Sequence, residues 1–273
     1  MSIITISREL AALGDETARE LAKLLQYRFI DKGTLEGRIK SYGVTGAQID
    51  KYDERKPGVF AALSQDRDMY LHFLKSAMLA EAGEGNCIFI GRGANAIFRG
   101  LAGLVSVFLT APAEVRQERI KSYFHCDDKK ARHIINQSDR DRQGFHSNLF
   151  ELDWRSPANY HLTLNTGYYS PAVSAEIVRD LLEKTVTADA GGEQKKSLAE
   201  LTLGHNIVTH IFYGKNINIH FLEAQVSETK IELFGVANSS ALVEAAVAAA
   251  KEAAGSLRVV SEIQVVQEYN ILS

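Results

Sequence analysis

The first forty residues constrain the fold of this chain more than any other stretch. The apolar, β-branched run at residues 3–6 predicts a strand, and a short loop ending at Gly14 leads into an amphipathic helix with leucines at 21, 24 and 25. A strand, a tight loop and a helix N-terminus in this order form a geometry that binds phosphate groups. The loop departs from the usual composition, because Asp15 and Glu16 stand where GxxxxGK[ST] would place its lysine and hydroxyl.

Composition indicates an ordinary soluble, folded protein. The chain has 273 residues, 45% apolar and 24% charged, enough for one large core or two smaller ones. Its net charge of −3 creates no general attraction for nucleic acid or anionic lipid, so neither partner is expected. No targeting segment or membrane span is expected either. The two cysteines, Cys87 and Cys126, form no disulfide framework, which favours a cytoplasmic protein.

A change of composition near residue 190 predicts two domains. Residues 185–197 read TVTADAGGEQKKS and have the small, polar character of an interdomain linker. We therefore expect a first domain at 1–187, a linker at 188–197 and a second domain at 198–273. Residues 197–273 contain four basic and eight acidic side chains, so the excess positive charge lies in the first domain.

Strands and helices alternate in the first domain. The predicted strands are YRFID (27–31), CIFIG (87–91), SVFLTA (106–111) and HLTLNT (161–166), together with the N-terminal strand. Helical stretches are expected up to about residue 82, over 112–147 and at 172–184. Continuous apolar strands separated by helices predict an α/β fold with a parallel sheet covered on both faces.

Polar and glycine residues follow several of these strands. They are Gly14, Asp31, Gly91–Arg92–Gly93 and Thr110. Ligands of such sheets bind at the carboxyl ends of the strands, so we expect a site at this edge.

Six motifs of the first domain are ISRELAALGDETARELAKLL, YRFIDK, IFIGRGA, VFLTAPAEVRQER, SDRDRQGF and DWRSPANYHLTLNT. Together they resemble the cytidylate kinase-like family, whose members are relatives of the P-loop nucleoside monophosphate kinases. The similarity covers about residues 1–185. It implies transfer of a phosphoryl group from ATP, with Mg²⁺, to a nucleoside monophosphate-like acceptor. Where relatives have GSGG, this chain has Ala11–Ala12–Leu13–Gly14, so two glycines that would let the backbone approach phosphate are missing.

The resemblance implies roles for ten residues. By this resemblance, Asp31 and Arg92 bind the acceptor, and Arg140 and Arg142 of a mobile lid are catalytic. The expected nucleotide-binding residues are Arg8, Gly14, Asp15, Glu16, Arg116 and Arg119. Arg8 is a further candidate to replace the missing lysine.

Each assignment has a structural alternative. The loop could be a simple βα turn, and Arg92 could form a salt bridge at the sheet edge. Arg140 and Arg142 could lie on a solvated helix face, and Arg116 and Arg119 could pair with nearby glutamates. The group His125, Cys126, Asp127, Asp128 and His133 lacks regular ligand spacing, so no metal site of the protein is expected.

The second domain shows a strand-like stretch at 209–225, a second strand around KIELFG, an alanine-rich helix and a final strand, LRVVSEIQVVQEY. This order resembles the BON domain, a small α/β module for binding and association, over about residues 197–270. The resemblance implies a protein or small-ligand partner for this module. Its histidines are isolated, and no catalytic group is evident.

Two functions follow from these patterns. One is a nucleotide-binding phosphotransferase, which the arginines at 92, 140 and 142 favour. The other is a catalytically degenerate regulator on a kinase scaffold that acts through the BON-like module, which the missing lysine favours.

Overall fold

The structure, a computed structural model, describes residues 2–51, 64–186 and 190–266. It divides the chain into two compact units, Met1–Gln194 and Lys195–Ser273. The boundary falls within a helix that begins at Ala190, so residues 190–197, which we expected to lie in the linker, are helical. Alanine, glutamate, glutamine and lysine are residues that favour helix. Residues 188 and 189 of the expected linker lie outside the described residues.

Five strands form the sheet of unit 1: β1 (Ile3–Arg8), β2 (Arg28–Ile30), β3 (Cys87–Ile90), β4 (Val105–Thr110) and β5 (Leu162–Asn165). They are all parallel in the order β2-β3-β1-β4-β5, with Ile4 opposite Ile88 on one side and Val105 on the other. The parallel sheet predicted from the apolar runs is confirmed.

The helices of unit 1 connect these strands. They are α1 (Gly14–Leu25), α2 (Lys32–Ser41), α3 (Gly46–Lys51), α4 (Ser64–Gly83), α5 (Ala94–Ile97), α6 (Ala113–Phe124), α7 (Asp128–Phe150) and α8 (Pro171–Thr185), with a short 3-10 turn at Pro157–Asn159. Part of the helical stretch expected before residue 82, at 52–63, lies outside the described residues.

The core of unit 1 buries the isoleucines of β1. Ile4 and Ile6 are fully buried together with Leu21 of α1 and Val178 of α8, in one hydrophobic cluster. Thr5 and Ser7, which alternate with these isoleucines, are buried as well, so both faces of this central strand are covered. This packing fixes the end of β1, where the loop to α1 begins.

Unit 2 combines two helices with a three-stranded sheet. Its elements are α9 (Ala190–Thr209) from residue 195 onward, one π-helical turn (His210–Gly214), β6 (His220–Val226), β7 (Lys230–Ala237), α10 (Ser240–Ala253) and β8 (Arg258–Val265). β6 pairs antiparallel with β7, which pairs parallel with β8. Buried alanines of α10, including Ala246 and Ala250, pack in one cluster with Ile231 and Leu233 of β7.

The strand expected from residue 209 is wrong before residue 220, where the chain completes α9 and the π-helical turn. Ile207 and Ile211 are both fully buried at helical i,i+4 spacing. A short apolar run does not by itself distinguish a strand from a buried helix. Residues 267–269 of the last predicted strand lie outside the described residues.

Candidate functional site

The loop between β1 and α1 keeps an unusual backbone. Ala11 and Leu13 have positive φ values of 61° and 54°. A side chain in this left-handed region costs roughly 1–2 kcal/mol, which is why glycine is favoured there. The loop therefore retains a left-handed conformation at two positions although neither is glycine. Its geometry must be held by other contacts.

Three side chains hold the loop through its carbonyl groups. Arg116 donates from Nε to the Leu10 carbonyl at 2.8 Å, and Arg119 donates from Nη1 to the Ala11 carbonyl at 2.9 Å. Thr166 donates its hydroxyl to the Ala12 carbonyl at 3.0 Å. Because α6 presents both arginines at i and i+3, they reach successive carbonyls of one loop. Burial lowers the pKa of Arg119.

Arg116 also belongs to a buried ion-pair network. Its Nη1 lies 3.1 Å from Oε1 of Glu9, and its Nη2 lies 2.7 Å from Oδ1 of Asp139 on α7. Arg155 contacts the same two carboxylates at 2.9 and 2.6 Å, and Thr110 donates its hydroxyl to Glu9 at 2.6 Å. The network ties the loop, β4, α6 and α7 together. The solvated face with Glu114 and Glu118, which sequence left open for Arg116, is not its environment.

A pocket opens at the carboxyl edge of the sheet, with a volume of about 200 Å³. Its charged lining contains five cationic and three acidic side chains contributed by β1, α1, α2, α7 and the ends of β2 and β3. The lining residues are Arg8, Asp15, Arg19, Phe29, Asp31, Lys32, Ile90, Arg92, Ser138, Asp141 and Arg142. The excess of cations over carboxylates suits an anionic ligand. This is the edge at which the sequence placed the site.

Arg8 is the last residue of β1 and enters the pocket beside the start of α1. Its Nη2 lies 3.5 Å from Oδ1 of Asp15, which also lines the pocket. Gly14 begins α1 and is buried, whereas Glu16 is exposed. The structure therefore brings Arg8, Gly14 and Asp15 together, and Glu16 follows them on the first turn of α1.

Arg92 lies between two glycines, and all three residues have positive φ values, 69°, 55° and 72°. The Arg92 side chain is buried; it donates to the Tyr70 hydroxyl at 3.3 Å and to Glu36 at 3.4 Å. A Cβ on Gly93 would lie 2.1 Å from Cε2 of Phe150. Gly93 is therefore needed both for its backbone conformation and for the close approach of Phe150.

Asp31 both caps α2 and lines the pocket. It caps α2, since its Oδ1 accepts from the Thr34 amide at 2.9 Å and from the Thr34 hydroxyl at 3.1 Å. The next residue, Lys32, lines the pocket as well. Arg38 lies in a separate cluster with Glu81 and does not line the pocket.

The two arginines of α7 have different environments. Arg142 is buried, lines the pocket, donates to the Ser138 hydroxyl at 2.6 Å and lies 6.0 Å from the Trp154 ring centroid. Arg140 is exposed and donates to Gln137 at 2.9 Å. Residues two apart on a helix face different directions, so one helix cannot present both to one pocket. The structure brings Arg142 to the site and leaves Arg140 outside the pocket lining.

Several pocket residues were missed by sequence reasoning: Arg19, Phe29, Lys32, Ile90, Ser138 and Asp141. Helical spacing could have identified two of them. Arg19 follows Asp15 by four residues on α1, and Ser138 precedes Arg142 by four residues on α7. The contact of Arg19 with the Phe29 ring, at 5.5 Å, joins α1 to β2 and has no local sequence signal.

Within residues 2–51, 64–186 and 190–266, no cluster of three or more His, Cys, Asp or Glu side chains is arranged to hold a metal ion. In the same residues, no helix combines the length and apolar character needed to cross a membrane.

Comparison with known proteins identifies the family. The model of the cytidylate kinase-like family matches residues 3–168. The chain belongs to the cytidylate kinase-like family, and the predicted resemblance of its first domain is confirmed. No curated protein matches the chain.

Among the solved structures that align with this chain, one has a TM-score above 0.5 and shows the same fold over the aligned part. An uncharacterized protein from Eubacterium ventriosum ATCC 27560 aligns with a TM-score of 0.53 at 18% identity, over 67% of this chain and 99% of that one. A shikimate kinase from Aquifex aeolicus aligns with a TM-score of 0.37 at 15% identity, over 68% and 99%. A sugar kinase from Janibacter sp. HTCC2649 aligns with a TM-score of 0.43 at 15% identity, over 70% and 98%.

Proposed function

We propose that unit 1 is a nucleotide-binding phosphotransferase that transfers a phosphoryl group from ATP to a nucleoside monophosphate-like acceptor. The observation that carries this proposal is the cation-rich pocket beside the loop that joins β1 to α1. Phosphoryl transfer needs little covalent chemistry from the protein, because catalysis comes from positioning and from stabilising negative charge. A pocket with five cationic groups supplies both.

The donor side of this site is the loop and the first turn of α1. Amide groups at a helix N-terminus favour phosphate, and contacts from Arg116 and Arg119 keep the loop in position. Asp15 and Glu16 would repel a free triphosphate. They fit one that carries Mg²⁺, since this ion is commonly held by one or two carboxylates together with substrate phosphates. Bound there, Mg²⁺ would neutralise charge on the phosphates.

The acceptor side is the part of the pocket around Arg92 and Asp31. A buried guanidinium offers a planar, two-pronged contact to a monophosphate. Asp31, fixed at the N-terminus of α2, can accept hydrogen bonds from a nucleoside. In the transfer, an acceptor phosphate oxygen bonds to the γ-phosphorus while the bond to the β–γ bridging oxygen breaks, and ADP leaves.

The arginines of α7 complete the proposal. Arg142 lines the pocket and can stabilise charge that develops on the transferring group. Arg140 is exposed in this conformation and reaches the phosphates only if α7 moves as a lid closes.

Unit 2 is proposed to be a BON-like module that contacts a protein or small ligand, in a cytoplasmic protein. Support comes from its order of helix, strand, strand, helix and strand and from its mixed sheet, with β6 antiparallel and β8 parallel to β7.

Calorimetric titration of the full chain with ATP, with CMP and with both, each with and without Mg²⁺, tests the proposed function. We expect ATP to bind more tightly with Mg²⁺ and each nucleotide to bind in the presence of the other. Absence of binding by both ATP and CMP would contradict the proposal.

A further inference from the structure

The phosphate-binding loop lacks the lysine that such loops use. The residue after Gly14 is Asp15, and its side chain is acidic rather than basic. A cation beside the β- and γ-phosphates stabilises both the bound nucleotide and the charge that develops in transfer. If unit 1 binds a triphosphate as proposed, another side chain must provide this charge.

The aliphatic stem of Arg8 lies directly across the first residue of α1. A Cβ on Gly14 would lie 2.4 Å from Cγ, 2.7 Å from Cβ and 3.1 Å from Cδ of Arg8. Gly14 does not have a positive φ, so its backbone conformation does not demand glycine. The close approach of Arg8 demands it. Glycine at position 14 therefore gives Arg8 the room to pass over the start of the helix.

Arg8 lines the pocket, and the guanidinium at the end of its stem lies beside Asp15. Its nearest carboxylate contact, to Asp15, measures 3.5 Å, longer than a charge-assisted hydrogen bond. The Asp15 side chain is 50% exposed, and exposed ion pairs of this kind contribute little stability. A phosphate oxygen can therefore compete with Asp15 for the guanidinium at small cost.

The two buried arginines of the pocket, Arg92 and Arg142, are each held by other side chains. Arg92 is held by Tyr70 and Glu36, on the acceptor side. Arg142 is held on α7 by Ser138. Arg8 differs from both because it is the last residue of β1, the central strand, and its stem lies against Gly14, the first residue of α1.

We infer that Arg8 is the cation that binds the β- and γ-phosphates of the donor in place of the loop lysine. Glycine at position 14 leaves the space in which the Arg8 side chain passes the start of α1. This inference rests on the proposed function and assigns a residue to its donor site. Arg8 is contributed by the strand before the loop, whereas the usual lysine follows the loop. Its fork can contact two phosphate oxygens at once.

The test measures binding of Mg·ATP, tripolyphosphate and CMP to the full chain by calorimetry. Arg8→Gln should weaken ATP and tripolyphosphate at least 10-fold while CMP affinity changes less than threefold. Arg8→Lys should fall between wild type and Arg8→Gln, because it restores the charge without the fork. Arg132→Gln, which removes an exposed arginine of α7, is the matched control and should change none of the three.

A double-mutant cycle tests the role of Gly14. Gly14→Ala should weaken ATP about as much as Arg8→Gly, because the added methyl displaces the arginine. In the Arg8→Gly background, which removes both the Cβ and the Cγ that the methyl would meet, the same substitution should cost less than twofold. Thermal melting followed through Trp154, the single tryptophan of the chain, establishes that each variant is folded.

The outcomes separate the inference from the proposed function. Wild-type binding of ATP with undiminished binding by Arg8→Gln overturns the inference and leaves the proposed function intact. Binding of tripolyphosphate that depends on Arg8, without binding of ATP, supports the inference and contradicts the nucleotide function. Failure of the wild-type chain to bind either ligand overturns both.

Discussion

Replacing Arg116 with methionine should strongly destabilise unit 1. The Arg116 side chain is buried and contacts Glu9, Asp139 and the Leu10 carbonyl at 3.1, 2.7 and 2.8 Å. Removing one partner of a buried ion pair typically costs about 3–5 kcal/mol, because the remaining charge stays buried. Arg155 still contacts both carboxylates in the variant, so we expect the lower end, about 3 kcal/mol.

Urea denaturation followed by Trp154 fluorescence measures this loss. Trp154 is buried in unit 1, so its signal reports that unit and not the other. With an m-value of about 2 kcal/mol/M, a loss of about 3 kcal/mol lowers the midpoint by about 1.5 M. Arg116→Lys, which keeps the charge and loses the fork, should give an intermediate midpoint.

Arg155→Gln is the matched comparison. Arg155 contacts the same carboxylates, but its side chain is 46% exposed, so its loss should cost less than about 1 kcal/mol. A folded Arg116→Met variant that stays within about 1 kcal/mol of wild type, with an unchanged m-value, would refute the argument that this network holds the loop.

Three further predictions concern packing, ligand binding and pH. Gly93→Ala should destabilise unit 1 by at least about 2 kcal/mol more than Gly100→Ala, since both positions have positive φ but only a Cβ at position 93 would meet Phe150. Thermal or urea unfolding compares the two variants, and equal losses of stability would contradict the packing argument. Arg92→Ala should weaken CMP by roughly 1.5–3 kcal/mol, or about 10- to 150-fold, and leave ATP within twofold in calorimetry; equal weakening of both nucleotides would contradict the acceptor assignment. Burial, aided by Lys75, lowers the pKa of His72 to about 4 from an ordinary value of 6.5, so the unfolded chain binds more protons between these values. The free energy of unfolding should therefore fall by up to about 3 kcal/mol as the pH drops from 6.5 to 4, and urea titrations should show a smaller fall for His72→Gln. An unchanged pH dependence in this variant would contradict the assignment of the effect to His72.

The strands of unit 1 could be predicted because each is a short apolar run bounded by turn residues. The observed β3 and β4 match the predicted runs to within one residue. A buried parallel strand is apolar on both faces, and this signal is local in the sequence. The same signal failed at residues 209–219, where the chain completes α9 and a π-helical turn that buries Ile211.

The candidate site was predictable in part. The edge of the sheet follows from the fold, and Arg8, Asp15, Asp31, Arg92 and Arg142 do line the pocket there. Residue type and spacing do not reveal which partner a side chain finds in three dimensions. Arg116 and Arg119 illustrate this, because their partners are loop carbonyls more than 100 residues away.

The backbone conformation of the loop between β1 and α1 could not be predicted from the loop's own residues. Two glycines of the family's loop are missing here, yet Ala11 and Leu13, which stand in their place, have left-handed conformations. Side chains from α6 and the end of β5 stabilise that conformation through its carbonyls, and no local pattern in the loop encodes those contacts.

The most direct test of unit 1 as a phosphotransferase is a ³¹P NMR assay of phosphoryl transfer. The assay supplies Mg·ATP and a panel of nucleoside monophosphates that includes CMP. We expect wild-type protein to form ADP and one nucleoside diphosphate in equal amounts, and Arg142→Gln to slow this at least 100-fold, because the variant loses a cation that stabilises charge in transfer. Nucleoside diphosphate formation at the wild-type rate by the Arg142 variant would remove that residue from the mechanism. Absence of any transfer by wild-type protein, with every acceptor of the panel, would contradict the account of unit 1 as a phosphotransferase.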